Sequence, residues 1–212
     1  MIKLLIADDH PIVRRGMAEI ITQEADLKVT GEAGSVNEVL ELLKDHHPDV
    51  LLLDLNMPGR NGLEAIKDIL FRFKSMKILV MSAYPEDQFA KRVLRAGASG
   101  YLPKDSAPDQ LVAAIRKVAG GGRFVTPAIA EQLAVDLGMG AGSPSKPHET
   151  LSDRELQVLL QISSGASITD IAELLSLSPK TVSTYRTRIL EKLNLKSNAE
   201  LTRYAIEQKL ID

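Results

Sequence analysis

Two adjacent aspartates, Asp8 and Asp9, follow the apolar run Ile2–Ala7, and a third, Asp54, follows Val50–Leu53. Ser82 ends the run Lys77–Met81, and Lys104 follows a weaker run at Ser99–Leu102. In an open parallel sheet, ligands bind outside the carboxyl ends of the strands. If these runs are parallel strands, three carboxylates, a hydroxyl and an ammonium converge on one sheet edge. Close carboxylates repel, and a hard divalent cation relieves the repulsion. Mg2+ suits oxygen ligands and keeps several waters, so it is the expected ion. A carboxylate beside such an ion can attack phosphorus and form an aspartyl phosphate. The ion and the lysine would neutralise the transferring phosphoryl oxygens, and the hydroxyl would bond one of them on arrival. Taken singly, each side chain has a plainer reading as a helix cap, a turn residue or a solvated charge. The inference rests on the constellation.

The elements that must position these groups are legible as patterns. Ile2–Ala7, Val50–Leu53 and Lys77–Met81 read as strands buried on both faces, with Leu27–Glu32 and Ser99–Leu102 as weaker ones. Helical periodicity lies between and after them, at Pro11–Thr22, Ser35–Asp45, Gly62–Arg72, Asp87–Ala96 and Ala107–Gly120. Pro11 suits the first position of a helix, where its missing N–H costs nothing. Alternating strands and helices predict an α/β doubly wound domain on a five-stranded parallel sheet over residues 1–122. A linker with a short helix near Pro127–Leu137 is expected over 123–149. Its Gly/Pro/Ser-rich part, Gly138–Pro147, reads as a flexible tether.

Composition narrows the function further. The 212 residues carry 26 Lys+Arg against 28 Asp+Glu, a net charge of −2, which excludes a uniformly basic nucleic-acid-binding chain but leaves room for a local basic patch. The absence of cysteine excludes disulfides, thiolate metal sites and cysteine nucleophiles. No apolar run approaches the roughly 18 residues of a membrane span, and no signal-peptide pattern follows Met1, so a cytoplasmic protein is expected.

Residues 150–212 show only helical patterns, which predicts a small all-α domain. Ser152 with Glu155 has capping-box spacing, and Thr169 and Ser178 are candidate N-caps. Thr169–Leu175, a short turn and Pro179–Leu193 form a helix-turn-helix pattern. Between Lys180 and Lys196, Lys180, Arg186, Arg188, Lys192 and Lys196 stand against Glu191 alone. A positive helix on an otherwise neutral module suits contact with a phosphate backbone. With Val182 facing the core, Ser183, Thr184, Thr187 and Arg188 point outward towards base edges. Lys180, Tyr185, Arg186 and Lys192 are assigned to phosphates or sugars, and Thr181, at the head of the segment, joins the DNA contacts.

Leu5-Ile-Ala-Asp-Asp-His-Pro11, Asp54-Leu-Asn-Met-Pro-Gly59 with Gly62, Met81-Ser82-Ala83 and Gly97-Ala-Ser-Gly-Tyr-Leu-Pro-Lys104 resemble the receiver domain of bacterial two-component response regulators. The resemblance implies that Asp54 is the phosphoacceptor. It implies Asp8, Asp9, Asp54 and the backbone carbonyl of Asn56 as Mg2+ ligands, with Asp9 the more direct of the acidic pair. Ser82 and Tyr101 take the switch positions and Lys104 the phosphate-binding one, while Tyr84 is read as a packing or loop residue. Leu151-Ser-Asp-Arg-Glu-Leu-Gln-Val-Leu159, Ile168-Thr-Asp-Ile-Ala172 and Leu177-Ser-Pro-Lys-Thr-Val182 resemble the LuxR-type DNA-binding domain. The two together are similar to response regulators of the NarL/FixJ type. Ser183 stands where that family commonly carries a basic residue.

The resemblance implies a transcription regulator phosphorylated on Asp54 by a sensor histidine kinase, which then binds double-stranded DNA as a homodimer. Any further phosphoryl chemistry would be self-directed autodephosphorylation, not enzymatic turnover. Two rivals remain. A phosphorylation-independent DNA-binding regulator would use the first domain only to dimerise. An aspartate-nucleophile phosphohydrolase would need an acid/base carboxylate two residues beyond the nucleophile, where this chain has Asn56.

Overall fold

The computed structural model describes residues 1–57, 62–138 and 146–211, with no side-chain description at 136–138. Pro58 and Gly59 of the motif after Asp54, and residues 139–145 of the expected tether, lie outside the described residues. The chain divides into two compact units, Met1–Val135 and Asp136–Asp212.

The first unit is a parallel sheet of β1 (Ile2–Ala7), β2 (Leu27–Ala33), β3 (Val50–Asp54), β4 (Lys77–Ser82) and β5 (Gly100–Pro103) in the order β2-β1-β3-β4-β5. Five helices alternate with the strands: α1 (Pro11–Thr22), α2 (Val36–His46), α3 (Gly62–Arg72), α4 (Glu86–Arg95) and α5 (Pro108–Ala119). Right-handed crossovers place α1 and α5 on one face of such a sheet and α2, α3 and α4 on the other. The core on the first face joins Leu4, Ile6, Leu52 and Leu79 of the strands to Met17 and Ile21 of α1 and to Leu111, Ile115 and Val118 of α5. Alternation along each strand turns Leu5, Leu51, Leu53, Ile78 and Val80 to the opposite face, where all are buried. Burial on both faces explains the unbroken apolar runs.

Register delivers the polar residues. Ala7 pairs with Leu53, Asp54 with Met81, and Ser82 with Pro103. Asp8, Asp54, Ser82 and Lys104 therefore reach the same edge of the sheet within two residues of one another.

The segment after α5, where a linker with a short helix is expected, clusters up to Val135 with the first unit. Phe124 bridges to Gly100 beside β5, its carbonyl accepting the Tyr101 N–H at 3.0 Å. A Cβ on Gly100 would fall 2.6 Å from that carbonyl oxygen, so only glycine permits this approach. Helix α6 (Pro127–Gly138) follows, with Ile129 buried. Ahead of it, Thr126 donates its hydroxyl to Glu86 Oε2 at 2.8 Å and its N–H to Oε1 at 3.3 Å.

The second unit is helical, as its periodicity predicts. After a short 3-10 turn (Pro147–Thr150) come α7 (Asp153–Ser163), α8 (Ile168–Leu174), α9 (Pro179–Leu193) and α10 (Asn198–Glu207). Ser152 and Glu155 form the capping box at the start of α7. The cap of α8 is Ser167 with Asp170, not Thr169, which falls inside the first turn. Both residues are hydroxylated, but only Ser167 has an acidic partner three positions on. Ser178 caps α9 and Pro179 opens it. Ile171 and Ala172 of α8 and Val182, Ile189 and Leu193 of α9 are buried with Leu156, Leu159 and Leu201.

Candidate functional site

Asp8 and Asp54 are almost wholly buried, at 0% and 1% exposed. The Lys104 ammonium bridges them, 2.7 Å from Asp8 Oδ2 and 2.8 Å from Asp54 Oδ2. Its position follows from strand pairing, since the Lys104 N–H donates to the Ser82 carbonyl at 3.0 Å. Burial raises the pKa of Asp54, Lys104 opposes the rise, and the charge of Asp8 adds to it, so the net shift is upward. Burial by itself would lower the Lys104 pKa, but Asp54 and Asp8 outweigh it and hold the ammonium above the ordinary lysine value.

This is a carboxylate centre with donor capacity left over. Asp54 Oδ1 is buried and has no hydrogen-bond partner, and the same is true of Asn56 Oδ1. Ligand atoms of Asp8, Asp9, His10 and Asp54 all lie within 4.8 Å of one another. Buried oxygens without donors are costly unless a cation or water satisfies them, so this donor set fits a hard divalent ion. The sequence motifs therefore converge as expected on Asp8, Asp9, Asp54 and Lys104.

Ser82 is fully buried, and its hydroxyl accepts the Tyr84 N–H at 3.1 Å. Tyr101 is also fully buried, donating its hydroxyl to the Tyr84 carbonyl at 2.6 Å. Burial pushes the Tyr101 phenol upward, although the Ser82 hydroxyl beside it pulls the other way. Tyr84 stacks on Phe89 with ring centroids 4.5 Å apart, a packing role. Ser82, Tyr84 and Tyr101 thus form one linked set at the carboxyl end of β4.

Three neighbours of this site were not singled out in the sequence. His10 Nδ1 lies 2.7 Å from Asp9 Oδ1, and its position next to the aspartate pair was the available signal. Arg14, one turn later on α1, donates to the Asp8 carbonyl. Glu86 anchors Thr126, a long-range contact with no local sequence signature.

On the second unit, Lys180, Ser183, Thr184, Thr187 and Arg188 are exposed along α9, as the periodicity predicts. Thr184 and Thr187 donate their hydroxyls to the carbonyls of Lys180 and Ser183, leaving an oxygen lone pair and a methyl group to face outward. Three other residues have partners within the unit. The Thr181 hydroxyl lies 2.8 Å from that of the N-cap Ser178, and Arg186 donates to Asn198 Oδ1 at 2.6 Å. Lys192 donates to the buried Glu155 at 2.6 Å. Tyr185 is half-buried. Lys192, expected to meet a DNA phosphate, is exposed and also holds this pair, which joins residues 37 positions apart and leaves no local signature in the sequence.

Comparison with known proteins agrees with both units. Residues 4–116 match the response regulator receiver domain, and residues 149–205 match the bacterial regulatory proteins of the luxR family. This chain belongs to the two-component response regulators, as a DNA-binding member with a receiver and a LuxR-type helix-turn-helix domain. It is similar to the response regulator GacA of Pseudomonas aeruginosa, with 40% identity over 212 residues covering 100% of this chain and 99% of that one. It is also similar to the oxygen regulatory protein NreC of Staphylococcus carnosus, with 39% identity over 215 residues covering 99% of each. Among solved structures, RcsB from Salmonella enterica serovar Typhimurium, bound to promoter rprA in the presence of the phosphomimetic BeF3-, matches with a TM-score of 0.67 and 29% identity, covering 96% of this chain and 98% of that one. Among the described residues, no helix is long and apolar enough to cross a membrane.

Proposed function

We propose that phosphorylation of Asp54 by a sensor histidine kinase, with Mg2+ at the acidic centre, switches this regulator on DNA. The observation that carries the reading is the pairing of Lys104 with Asp8 and Asp54 around an unsatisfied Asp54 Oδ1. That oxygen attacks the phosphorus of a phosphohistidine. The new O–P bond forms as the N–P bond breaks, and its electron pair leaves on the imidazole nitrogen. Lys104 then holds one phosphoryl oxygen, and Ser82 and Tyr101 adjust to another. Asp8, Asp9, Asp54 and the Asn56 carbonyl would hold Mg2+, which when bound supplies charge neutralisation at the phosphoryl group. Water later hydrolyses the acyl phosphate, so the phosphoryl chemistry is self-directed. A phosphohydrolase reading is disfavoured by Asn56, which cannot act as an acid/base.

The promoter DNA and the phosphomimetic named with the RcsB structure support the same pairing of functions in this chain. On α9, Ser183, Thr184, Thr187 and Arg188 face base edges, and Lys180, Tyr185, Arg186 and Lys192 meet phosphates or sugars, with Thr181 at the head of the segment. Phosphorylation would favour a homodimer, which places two copies of α9 on half-sites of a two-fold element. The working division is residues 1–122 as receiver, 123–149 as connection and 150–212 as DNA reader. Such a regulator works in the cytoplasm, where its DNA lies.

The test is labelling with a small-molecule phosphodonor and Mg2+, followed by a DNA-binding titration. Wild type should take up an acid-stable, base-labile phosphoryl group and bind DNA more tightly, and Asp54→Ala should do neither. Equal labelling of Asp54→Ala would remove Asp54 from the role. Labelling without any change in DNA binding would favour the phosphorylation-independent regulator.

A further inference from the structure

Val182 and Ile189 are wholly buried and fix the inward direction of α9. At about 100° per residue, Thr184 and Thr187 lie about 200° and 140° round the helix from Val182. They straddle the line that points straight away from the core, with Arg188 and Ser183 on either side, and all four are exposed. Two threonines therefore hold the centre of the outer face, while Arg188, a long donor, stands at its flank.

Both threonines have already used their one donor. The Thr184 hydroxyl donates to the Lys180 carbonyl at 3.0 Å, and the Thr187 hydroxyl to the Ser183 carbonyl at 3.1 Å. A hydroxyl carries a single hydrogen, so while these bonds hold neither side chain can donate to guanine O6 or N7, or to thymine O4. Each still offers a methyl group and an oxygen that can only accept. The same i to i−4 bond, made twice, orients the two side chains alike on the helix. Three residues separate them by about 4.5 Å along the axis, close to the roughly 3.4 Å between successive bases of a DNA strand.

The apolar group on the floor of the major groove is the thymine C5-methyl. Methyl packed against methyl removes apolar surface from water, and the short side chains of Ser183, Thr184 and Thr187 let the helix approach closely enough to do so. We propose that Thr184 and Thr187 read thymine methyls, so that each DNA half-site carries neighbouring A·T pairs, with thymine on either strand, beneath the centre of α9. This base identity rests on the reading of α9 as the helix that meets base edges, and it makes Thr184 and Thr187 the specificity-determining pair.

The experiment selects duplexes from a random pool with the full chain, treated with phosphodonor and Mg2+. The enriched duplex is then resynthesised with deoxyuridine for thymidine at its shared A·T pairs, which removes only the C5-methyl. Enriched sequences should share neighbouring A·T pairs in each half-site, and wild type should bind the uracil duplex at least about tenfold more weakly. The double variant Thr184→Ser, Thr187→Ser keeps both hydroxyls and loses both methyls, so it should bind the two duplexes within about threefold of each other. Thr184→Val with Thr187→Val returns the methyls without the hydroxyls and should again discriminate at least about tenfold. Equal binding of both duplexes by wild type, discrimination kept by the serine variant or lost by the valine variant, or enriched sequences without such pairs would overturn the methyl contact alone. A pool that yields no enriched sequence would overturn the assignment of α9 to base edges together with it.

Discussion

Lys192 of α9 places its ammonium 2.6 Å from Oε2 of Glu155 on α7, a carboxylate that is 4% exposed. The same oxygen accepts the Ser152 N–H at 2.7 Å, so one atom closes a capping box and ties the recognition helix to its support. Burial raises the Glu155 pKa, but Lys192 and Ser152 lower it by more, leaving it below the ordinary value of 4.5. A depressed carboxylate stabilises the folded state above its unfolded pKa, and that contribution fades as pH falls through the folded value. Lys192→Met should therefore cost the second unit about 1–2 kcal/mol at pH 7, a buried-pair loss discounted for the part-exposed lysine. The difference from wild type should shrink below pH 4.5. Thermal unfolding of the full chain at several pH values measures it. Unchanged stability, with a DNA-binding salt slope shallower by about one counterion, would leave Lys192 with a phosphate role alone.

Asp54→Asn should stabilise the first unit when no divalent ion is present. The Asp54 pKa is raised above 3.8, so keeping it ionised costs folding free energy at neutral pH and costs nothing once pH falls below that value. The variant should melt about 2–5 °C above wild type at pH 7 and within about 1 °C of it at pH 3. Mg2+ at ten times its Kd should stabilise wild type by about 1.4 kcal/mol and Asp54→Asn by less. Calorimetry with and without the ion separates the two effects.

Tyr101→Phe removes a buried donor and leaves the Tyr84 carbonyl without the 2.6 Å bond it accepts. The cost should be about 1 kcal/mol in stability. Exchange of the Tyr84 and Tyr101 region should quicken, while phosphodonor labelling of Asp54 persists. Loss of labelling would show that Tyr101 is needed for the chemistry itself.

Thr126→Val should loosen the segment between α5 and α6. Both bonds to Glu86 involve Thr126, and only the longer backbone one survives the substitution. Hydrogen exchange at the Tyr101 amide, which donates to Phe124, should accelerate about tenfold, while amides of β1 and β3 stay unchanged. Uniform acceleration across the sheet would mean global destabilisation instead.

Along α9, Thr187→Ala and Arg188→Ala should each cost about 1–3 kcal/mol at a preferred DNA site and little on random DNA, if they read bases. Lys180→Ala should weaken both by a similar factor and shallow the salt dependence by about one counterion. Val182 is wholly buried, so Val182→Asp should unfold the second unit and tell nothing about specificity. Titrations on two DNAs at two salt concentrations distinguish these outcomes.

By itself the sequence determined the elements and the identity of the reactive groups. Hydrophobic periodicity is a local property, so Pro11–Thr22 and Gly62–Arg72 agree with the observed helices at both ends. Asp8, Asp54, Ser82 and Lys104 were legible because each follows an apolar run, and a parallel sheet gathers such positions at one edge. Only the tertiary structure decided which charges meet. Lys104 bridges Asp8 and Asp54 because Ala7 pairs with Leu53 and Ser82 with Pro103, and a slip of one residue would point those side chains to the wrong face. The pairing of Lys192 with Glu155 and of Thr126 with Glu86 depends on which helices and loops come to lie together, and His10 on how the chain leaves β1 for α1. Such contacts cross long stretches of sequence or turn on loop geometry, and neither leaves a periodic trace in the order of residues.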